Sequence, residues 1–261
     1  MFGKVGGATG WVGDPSGKTT ERVALTNDQL ESNKASIAEQ LHLLQQNMLQ
    51  YAKRRGLAGK DMGTWQQKDN LDWFKDLSAI AFVRDIGKHV RMTTMLHRDS
   101  IKQRLQAGGD GMSFTEFAYQ LFQAYDWVHL ARTASCFGQL GGSDQWGNII
   151  GGVDLIERML STPHRAFGMT IPLLTDGKGK KIGKSVGGGG GLWLSVDQLH
   201  PFDFYQRLRQ MDDVAVKRLL LTLTFLSPDA IDGVMARNAT QVLSLSLKSQ
   251  ILRSAISVGH A

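Results

Sequence analysis

Glycines that follow short apolar segments constrain the fold of this chain more than any other feature of its sequence. Val5 leads directly into the turn formed by residues 6–10, and further glycine clusters lie at 108–111, 141–147 and 177–191. The 30 glycines make up about 11% of the 261 residues, above the usual ~7%. Because loops of this kind recur between strands and helices, we predict an α/β fold.

The composition of the chain is that of a globular protein. Hydrophobic residues make up 42% and charged residues 21%, so disorder is not expected. The net charge of +6 is compatible with an anionic partner but too mild to identify one. The single cysteine, Cys136, excludes an intrachain disulfide framework and a cysteine-only metal cage. No apolar run approaches the roughly 18 residues of a membrane span, so we expect no membrane partner.

Capping boxes predict where two long helices begin. Thr26 with Gln29, and Ser113 with Glu116, each precede apolar residues at helical spacing. Further along the chain, the pattern predicts strands at 135–140 and 169–174, a helix at 144–159 and helices from residue 201 onward. Residues 187–191 form a run of five glycines, the one low-complexity patch.

The first glycine turn resembles two known phosphate-binding loops but matches neither. Counting back from Gly17-Lys18, a P-loop would need glycine where Val12 stands, and a dinucleotide fingerprint ending at Gly10 would need glycine in place of Val5. The segment nevertheless carries a hydroxyl, a carboxylate and two cations, on Thr9, Asp14, Lys18 and Arg22. Such a loop suits an ammonium group and a polyphosphate, while the alternative is a tight surface turn.

Three polar side chains share one face of the second predicted helix. Tyr119, Gln123 and Asp126 stand at positions i, i+4 and i+7. An ordinary solvated face is the alternative, although such faces are usually rich in lysine and glutamate and this one has neither. A rigid row of phenol, amide and carboxylate suits a small zwitterion with a hydroxyl at its far end.

Two later segments also carry binding chemistry. In the string GGSDQWGN, glycines stand just before a predicted helix, where a ribose or phosphate can approach the backbone, and Asp144 is either a sugar-hydroxyl acceptor or a helix N-cap. In the string KGKKIGKS, four lysines crowd into a glycine-rich loop, namely Lys178, Lys180, Lys181 and Lys184. This loop is either a solvated charge run or a mobile clamp for a phosphate chain.

Taken together, these strings resemble one family closely, the tyrosyl-tRNA synthetases of bacterial and mitochondrial type. GGATGWVGDPSGKTTER, FTEFAYQLFQAYDW, GGSDQWGN and KIGKS occur in the family's order, over about residues 3–235. The resemblance implies a Rossmann-like parallel sheet with helices on both faces, followed by the start of an α-helical domain. It places a catalytic domain at 1–195, with a helical insertion around 26–105, and a helical anticodon-binding region with an atypical tail at 196–261.

Carried over by motif position, the resemblance implies a set of site residues. Tyrosine would be bound by Tyr119, Gln123, Asp126, Gln145, Asp14, Thr9 and Asn70. Asp126 would accept from the phenol; Tyr119, Gln123 and Asp14 would hold the ammonium group, with Asn70 as a weaker candidate. Gln145 would lie near the carboxylate and the α-phosphate. ATP would be bound by Gly142, Asp144 and Lys184, and the catalytic residues stabilising pyrophosphate would be Lys181, Lys184, Ser185, Lys18 and Arg22.

The resemblance also implies an activity and partners. A member of this family joins tyrosine to ATP as tyrosyl-adenylate, releases pyrophosphate and then esterifies tRNA(Tyr), with Mg²⁺ accompanying the phosphates and no metal ligand predicted in the protein. The segments NLDW and FVRDIGKH also resemble the family, the latter near its dimer contact, so we expect a homodimer. The implied location is the mitochondrial matrix or the cytoplasm, and the first residues carry no recognisable targeting segment.

The chain departs from the family in two places. None of its seven histidines forms the family's His-x-Gly-His motif, which precedes the glycine turn, and the tail after about residue 235 matches no family segment. We therefore expect an N-terminally truncated member without its first strand. The alternative is a catalytically inactive product, at most an RNA-binding or incomplete domain. Little tyrosine-dependent ATP–pyrophosphate exchange is expected from the 261 residues alone, and robust exchange would contradict the importance of the missing motif.

A tryptophan-activating enzyme is disfavoured because Asp126 with Gln123 suits a phenol.

Overall fold

The computed structural model describes residues 1–16, 25–56, 63–106, 111–176, 179, 182 and 191–240. The chain divides into two compact units. The first comprises Met1–Ala38 with Gly63–Pro172, and the second comprises Glu39–Met62 with Leu173–Ala261. The domain boundary predicted from the sequence, between residues 195 and 196, stays a prediction.

Two pairs of parallel strands lie in the first unit, in agreement with the predicted α/β class. β1 (Phe2–Val5) pairs with β2 (Gln66–Asp69), and β3 (Gly138–Gly142) pairs with β4 (Phe167–Ile171). In register, Val5 lies opposite Asp69 and Gly142 opposite Ile171. Parallel pairing requires crossover connections, and helices supply them here.

The helices of the first unit occupy most of the chain between these strands. They are α1 (Gly7–Val12), α2 (Asn27–Arg54), α3 (Leu71–Phe74), α4 (Ala79–Ala81), α5 (Met92–Leu96), α6 (Asp99–Gln106), α7 (Phe114–Ala134) and α8 (Trp146–Met159). A π-helical turn spans Phe82–Ile86, and 3₁₀ turns span Gly87–His89 and Ser143–Gln145. Of these helices, α2 runs on past Ala38 into residues of the second unit.

Both predicted capping boxes lie at helix starts. The backbone N–H of Thr26 donates to Gln29 Oε1 at 3.0 Å, and the N–H of Gln29 donates to Thr26 Oγ1 at 3.3 Å. At the start of α7, Ser113 Oγ accepts from the N–H of Glu116 at 3.3 Å. Each cap satisfies donors that have no partner within the helix, so it sets the residue at which the helix begins.

Two predicted strands are displaced from their predicted positions. β3 begins at Gly138 rather than at residue 135, because Ser135 takes a left-handed conformation with φ of 50° as it closes α7. The strand then continues through Gly141 and Gly142, which belong to the glycine cluster at 141–147 where a loop was expected. β4 spans 167–171 rather than 169–174, since Pro172 has no N–H to donate to a further ladder bond.

The core of the first unit forms where α7 packs against α8. Trp127 and Val128 of α7 and Ile149, Leu155 and Ile156 of α8 are almost completely buried. The indole N–H of Trp127 donates to the carbonyl of Cys136 at 3.0 Å, so the ring buries no unpaired polar group. Burial of each such side chain contributes about 1.5–3 kcal/mol relative to exposure.

The described part of the second unit is helical after residue 200, as predicted. Its helices are α9 (Pro201–Arg209), α10 (Asp213–Leu223) and α11 (Pro228–Thr240). Their buried residues include Phe204, Leu208, Leu219, Leu220 and Ile231. Val214 of α10, although apolar, is 83% exposed. None of the described helices is long and apolar enough to cross a lipid bilayer.

Candidate active site

An open cleft of about 710 Å³ in the first unit brings together most of the predicted tyrosine-binding residues. Residues of β1, β3, β4 and α7 line it. Its polar lining includes Tyr119, Gln123, Asp126, Asp14 and Gln145. Segments far apart in sequence therefore converge on one cavity, whose size suits an amino acid with an aromatic side chain.

The polar row on α7 is buried, which excludes the alternative of a solvated face. Tyr119 is 9% exposed, Gln123 7% and Asp126 1%. All three line the cleft, as expected for residues at helical spacing on one face. A helix this well packed holds its polar side chains in fixed positions, which favours selective binding over adaptable contact.

Asp126 lies at the most buried end of this row and accepts hydrogen bonds from three side chains. Lys4 Nζ lies 2.5 Å from Oδ2, and the indole Nε1 of Trp73 lies 3.0 Å from Oδ1. Asn70 Nδ2 lies 3.3 and 3.2 Å from the two oxygens. Burial raises the pKa of Asp126 above its ordinary value, and these three partners oppose that rise by stabilising the carboxylate.

Asn70 connects the first glycine turn to Asp126. Its Oδ1 accepts from the backbone N–H of Ala8 at 2.7 Å, and its Nδ2 donates to Thr9 Oγ1 at 2.9 Å as well as to Asp126. Asn70 is completely buried. The structure therefore places Asn70 and Thr9 beside one another, next to the Asp126 carboxylate.

A neighbouring aspartate explains one glycine of the turn. The backbone N–H of Gly7 donates to Asp69 Oδ1 at 3.0 Å, and the N–H of Leu71 donates to the same oxygen at 2.9 Å. A Cβ atom at Gly7 would overlap the Asp69 carboxylate. Only glycine therefore lets the turn after β1 approach the end of β2 this closely.

The second polar cluster of the cleft joins Asp14 to Gln145. Gln145 Nε2 donates to Asp14 Oδ2 at 2.9 Å. Asn148 Nδ2 lies within hydrogen-bond distance of Gln123 Oε1 at 3.1 Å, Ser16 Oγ at 3.3 Å and Gln145 Oε1 at 3.4 Å. Amide and carboxylate acceptors predicted for an ammonium group thus converge at one place.

Two of the predicted nucleotide-binding residues, Gly142 and Asp144, lie at the carboxyl end of β3. Gly142 is the last residue of that strand, and Asp144 lies in the 3₁₀ turn Ser143–Gln145 that leads into α8. The first glycine turn likewise follows β1, and Asn70 follows β2. Ligands of open α/β sheets bind outside the carboxyl ends of the strands, and each of these motifs has that position.

The predicted catalytic residues lie outside the described part of the chain. These are Lys18, Arg22, Lys181, Lys184 and Ser185; the lysines at 178 and 180 and glycines 187–190 lie outside it too. Their roles stay predictions.

Sequence reasoning missed three residues of the site: Lys4, Trp73 and Asn148. Trp73 stacks on His129 with ring centroids 4.5 Å apart, and burial lowers the pKa of that histidine, which favours its neutral form. Asn148 belongs to the GGSDQWGN string and stands three residues after Gln145 on the same helical turn, a spacing that could have identified it. Lys4 alternates with buried Gly3 and Val5 on β1, which directs its side chain to the cleft.

Comparison with known proteins identifies the class to which this fold and site belong. A family model described as tRNA synthetases class I (W and Y) matches residues 1–254, so the chain belongs to the class I aminoacyl-tRNA synthetases of that group. The match extends beyond residue 235, so the expectation that the resemblance ends there was wrong. Within the group it is similar to tyrosine–tRNA ligases. It is 44% identical over 229 residues to the chloroplastic/mitochondrial enzyme of Arabidopsis thaliana, covering 88% of this chain and 42% of that protein. It is 42% identical over 240 residues to the mitochondrial enzyme of Drosophila melanogaster, covering 91% and 50%.

A solved structure shows the same fold. A C-terminally truncated mitochondrial tyrosyl-tRNA synthetase from Aspergillus nidulans superposes with a TM-score of 0.84 at 30% identity, covering 99% of this chain and 72% of that one. The chain spans about half the length of the curated relatives it matches.

Proposed function

We propose that this chain is the tyrosine- and nucleotide-binding region of a tyrosine–tRNA ligase. The reaction would join tyrosine to ATP as tyrosyl-adenylate with release of pyrophosphate and then transfer the tyrosyl group to tRNA(Tyr). The observation that carries the proposal is the buried carboxylate of Asp126 at one end of a cleft whose other polar cluster contains Asp14, Gln123 and Gln145. The similarity to tyrosine–tRNA ligases supports it.

The two polar ends of the cleft match the two ends of tyrosine. Asp126 would accept a hydrogen bond from the phenol, while Asp14, Tyr119 and Gln123 would hold the ammonium group. Asn70 and Thr9 would act beside Asp126, where they fix the carboxylate and the turn. A site built around a substrate hydroxyl rejects the analogue without it, since the buried acceptor is then left unpaired.

Activation would need positioning rather than covalent chemistry from the protein. A tyrosine carboxylate oxygen would form a bond to the α-phosphorus, and the bond from that phosphorus to the bridging oxygen of pyrophosphate would break. Gln145 would orient the carboxylate and α-phosphate, and Gly142 and Asp144 would contact the ribose. Lys18, Arg22, Lys181, Lys184 and Ser185 would stabilise charge on the departing pyrophosphate.

Mg²⁺ would enter with the phosphates of ATP and neutralise part of their charge. Within the described residues, no group of three or more histidine, cysteine, aspartate or glutamate side chains is placed to hold a metal ion. The donors of the cleft instead suit an amino acid and a sugar.

We further propose that the protein is a homodimer. An apolar groove of about 830 Å³ in the first unit is lined by α5, α7 and the FVRDIGKH segment. Its exposed apolar side chains include Val83, at 64%, and Phe114, at 80%. Patches of this kind on a globular unit mark interaction surfaces. We also propose a mitochondrial or cytoplasmic location, because the relatives include organellar and bacterial enzymes.

A binding titration of the purified chain against tyrosine and tryptophan tests the assignment of the substrate. Isothermal calorimetry is expected to show saturable tyrosine binding and no measurable tryptophan binding at the same concentrations. Both amino acids have large aromatic rings, so general affinity for apolar groups would not separate them. Equal or tighter binding of tryptophan would contradict the proposal.

A further inference from the structure

The ion pair between Lys4 and Asp126 lies at the end of the cleft where the substrate hydroxyl would bind. The ammonium nitrogen is 2.5 Å from Oδ2, with the lysine side chain 24% exposed and the aspartate side chain 1% exposed. Both residues line the cleft. Within the described part of the chain, Asp126 is the one hydrogen-bond partner of this ammonium group.

Counting donors and acceptors shows that the pair has capacity for a ligand. An ionised carboxylate offers about four acceptor positions. Lys4 takes one position on Oδ2 and Trp73 one on Oδ1. A single N–H of Asn70 is divided between both oxygens at 3.3 and 3.2 Å, since its other N–H is directed to Thr9. These divided contacts are the longest that Asp126 accepts, so a ligand hydroxyl would replace one of them. The ammonium group of Lys4 has three N–H donors and uses one here.

We propose that Lys4 determines specificity by donating a hydrogen bond to the oxygen of the substrate's ring hydroxyl, while Asp126 accepts a hydrogen bond from that hydroxyl. This inference rests on the proposed function, which places the phenol of tyrosine at this end of the cleft. The pair then selects a ring substituent that both donates and accepts. A phenol does both, whereas an aromatic amine donates well and accepts poorly, and an unsubstituted ring does neither.

The position of Lys4 on β1 suits this role. The strand is parallel to β2 and alternates in burial, with Gly3 and Val5 buried and Phe2 and Lys4 partly exposed on the cleft side. A purely structural ion pair would leave the substrate's selectivity unchanged when Lys4 is replaced. A specificity role predicts a change that depends on the ring substituent.

The test compares three ligands on four proteins. Dissociation constants for tyrosine, 4-aminophenylalanine and phenylalanine are measured by calorimetry for the unaltered chain and for Lys4→Met, Lys4→Gln and Lys4→Arg. Methionine matches the length of lysine without charge or donor, glutamine keeps a neutral donor, and arginine keeps both. Circular dichroism spectra and unfolding curves establish that each variant is folded.

We expect Lys4→Met to weaken tyrosine binding by about tenfold or more and to change the binding of 4-aminophenylalanine and phenylalanine by less than about threefold. Lys4→Arg should retain most of the preference for tyrosine. If Lys4→Met does not fold, Lys4→Gln takes its place. A preference for tyrosine over phenylalanine that is weaker in Lys4→Gln than in Lys4→Arg, but not lost, supports the same role. If Lys4→Met or Lys4→Gln keeps the preference of the unaltered chain for tyrosine, or binds tyrosine more tightly, the role of Lys4 is overturned while the proposed function stands. An unaltered chain that does not prefer tyrosine to phenylalanine overturns both this inference and the proposed function.

Discussion

At the residue scale, Asp126 combines deep burial with a charge. Its carboxylate is 1% exposed and depends on Lys4, Asn70 and Trp73 for the interactions that water would otherwise supply. A buried charge that loses such partners destabilises a fold strongly. Asp126 is therefore expected to couple the stability of the first unit to pH.

The sign of that coupling follows from the pKa shift. Burial raises the pKa of Asp126 in the folded protein above its value in the unfolded chain. At a pH between these two pKa values, folding takes up a proton at Asp126. The contribution of this proton uptake to the free energy of unfolding is complete below the unfolded pKa, and it is lost as the pH rises through the folded pKa. Relative to Asp126→Asn, which does not titrate, the unaltered protein should gain free energy of unfolding as the pH falls from neutrality, as measured by urea unfolding.

Asp85 provides a control of opposite sign. Its hydrogen bond with Arg84 lowers the pKa of Asp85, so its stabilising contribution is lost as the pH falls through the folded pKa. Relative to Asp85→Asn, the unaltered protein should therefore lose free energy of unfolding on acidification. The same direction of change for both aspartates would contradict the assigned shifts.

The predictability of site residues depends on the distance in sequence between partners. Tyr119, Gln123 and Asp126 were predictable as a row because one helix fixes their spacing. The contact of Lys4 with Asp126 joins residues 122 positions apart, and that of Trp73 joins residues 53 apart. No local pattern specifies contacts of this kind, since they depend on how strands and helices pack together.

At the element scale, the packing of α7 on α8 depends on a glycine. A Cβ atom at Gly152 would lie 2.6 Å from the indole ring of Trp127, a core side chain with no room to move. Gly152→Ala should therefore lower the free energy of unfolding by about 1–3 kcal/mol, the usual cost of overpacking. Thermal and urea unfolding measure this change.

Gly147 is the matched control on the same helix. A Cβ atom there would meet Arg98 Cδ at 3.8 Å, an ordinary contact. Gly147→Ala should leave stability unchanged or raise it by up to about 1 kcal/mol, because alanine is the better helix former. Equal destabilisation by both substitutions would show that the Trp127 contact is not the cause.

Helices were easier to predict than strands in this chain. The caps at Thr26 and Ser113 act through neighbouring residues, so both helix starts were confirmed. The strand at 135–140 was displaced because the left-handed Ser135 closes α7 at that point, a feature without a glycine to announce it. The sequence therefore predicted an element well where interactions between neighbouring residues determine where it begins.

At the scale of the whole molecule, the apolar groove predicts association of two copies. Phe114 is the first residue of α7 and is 80% exposed, so a charge there would disturb an interface without disturbing the core. Phe114→Glu should convert a dimer to a monomer in sedimentation equilibrium, with little change in the circular dichroism spectrum. Glutamate in the first turn of a helix is compatible with the helix dipole.

Val214 is the control for that experiment. It is also apolar and 83% exposed, but it lies in the second unit, outside the groove. Val214→Glu should leave the oligomeric state unchanged. A monomeric unaltered protein, or equal effects of the two substitutions, would contradict an interface at the groove.

Family and fold class were predictable from motifs spread over most of the chain, because each motif needs a particular backbone geometry. The glycine turn, the row on α7 and the GGSDQWGN string all follow strands or line the cleft. The arrangement of the chain into two units, one of them formed from residues 1–38 and 63–172, was not predictable, since it depends on contacts between distant segments.

Asp126 is proposed to select the hydroxyl of tyrosine. Comparing the binding of tyrosine and phenylalanine by the unaltered protein and by Asp126→Asn tests this role. Asp72→Asn, which changes an exposed aspartate on α3, is the matched control. The unaltered protein and the control should both bind tyrosine at least about a hundredfold more tightly than phenylalanine, and Asp126→Asn should reduce that ratio at least about tenfold. A ratio near one in the unaltered protein, or a ratio unchanged by Asp126→Asn, would contradict the claim.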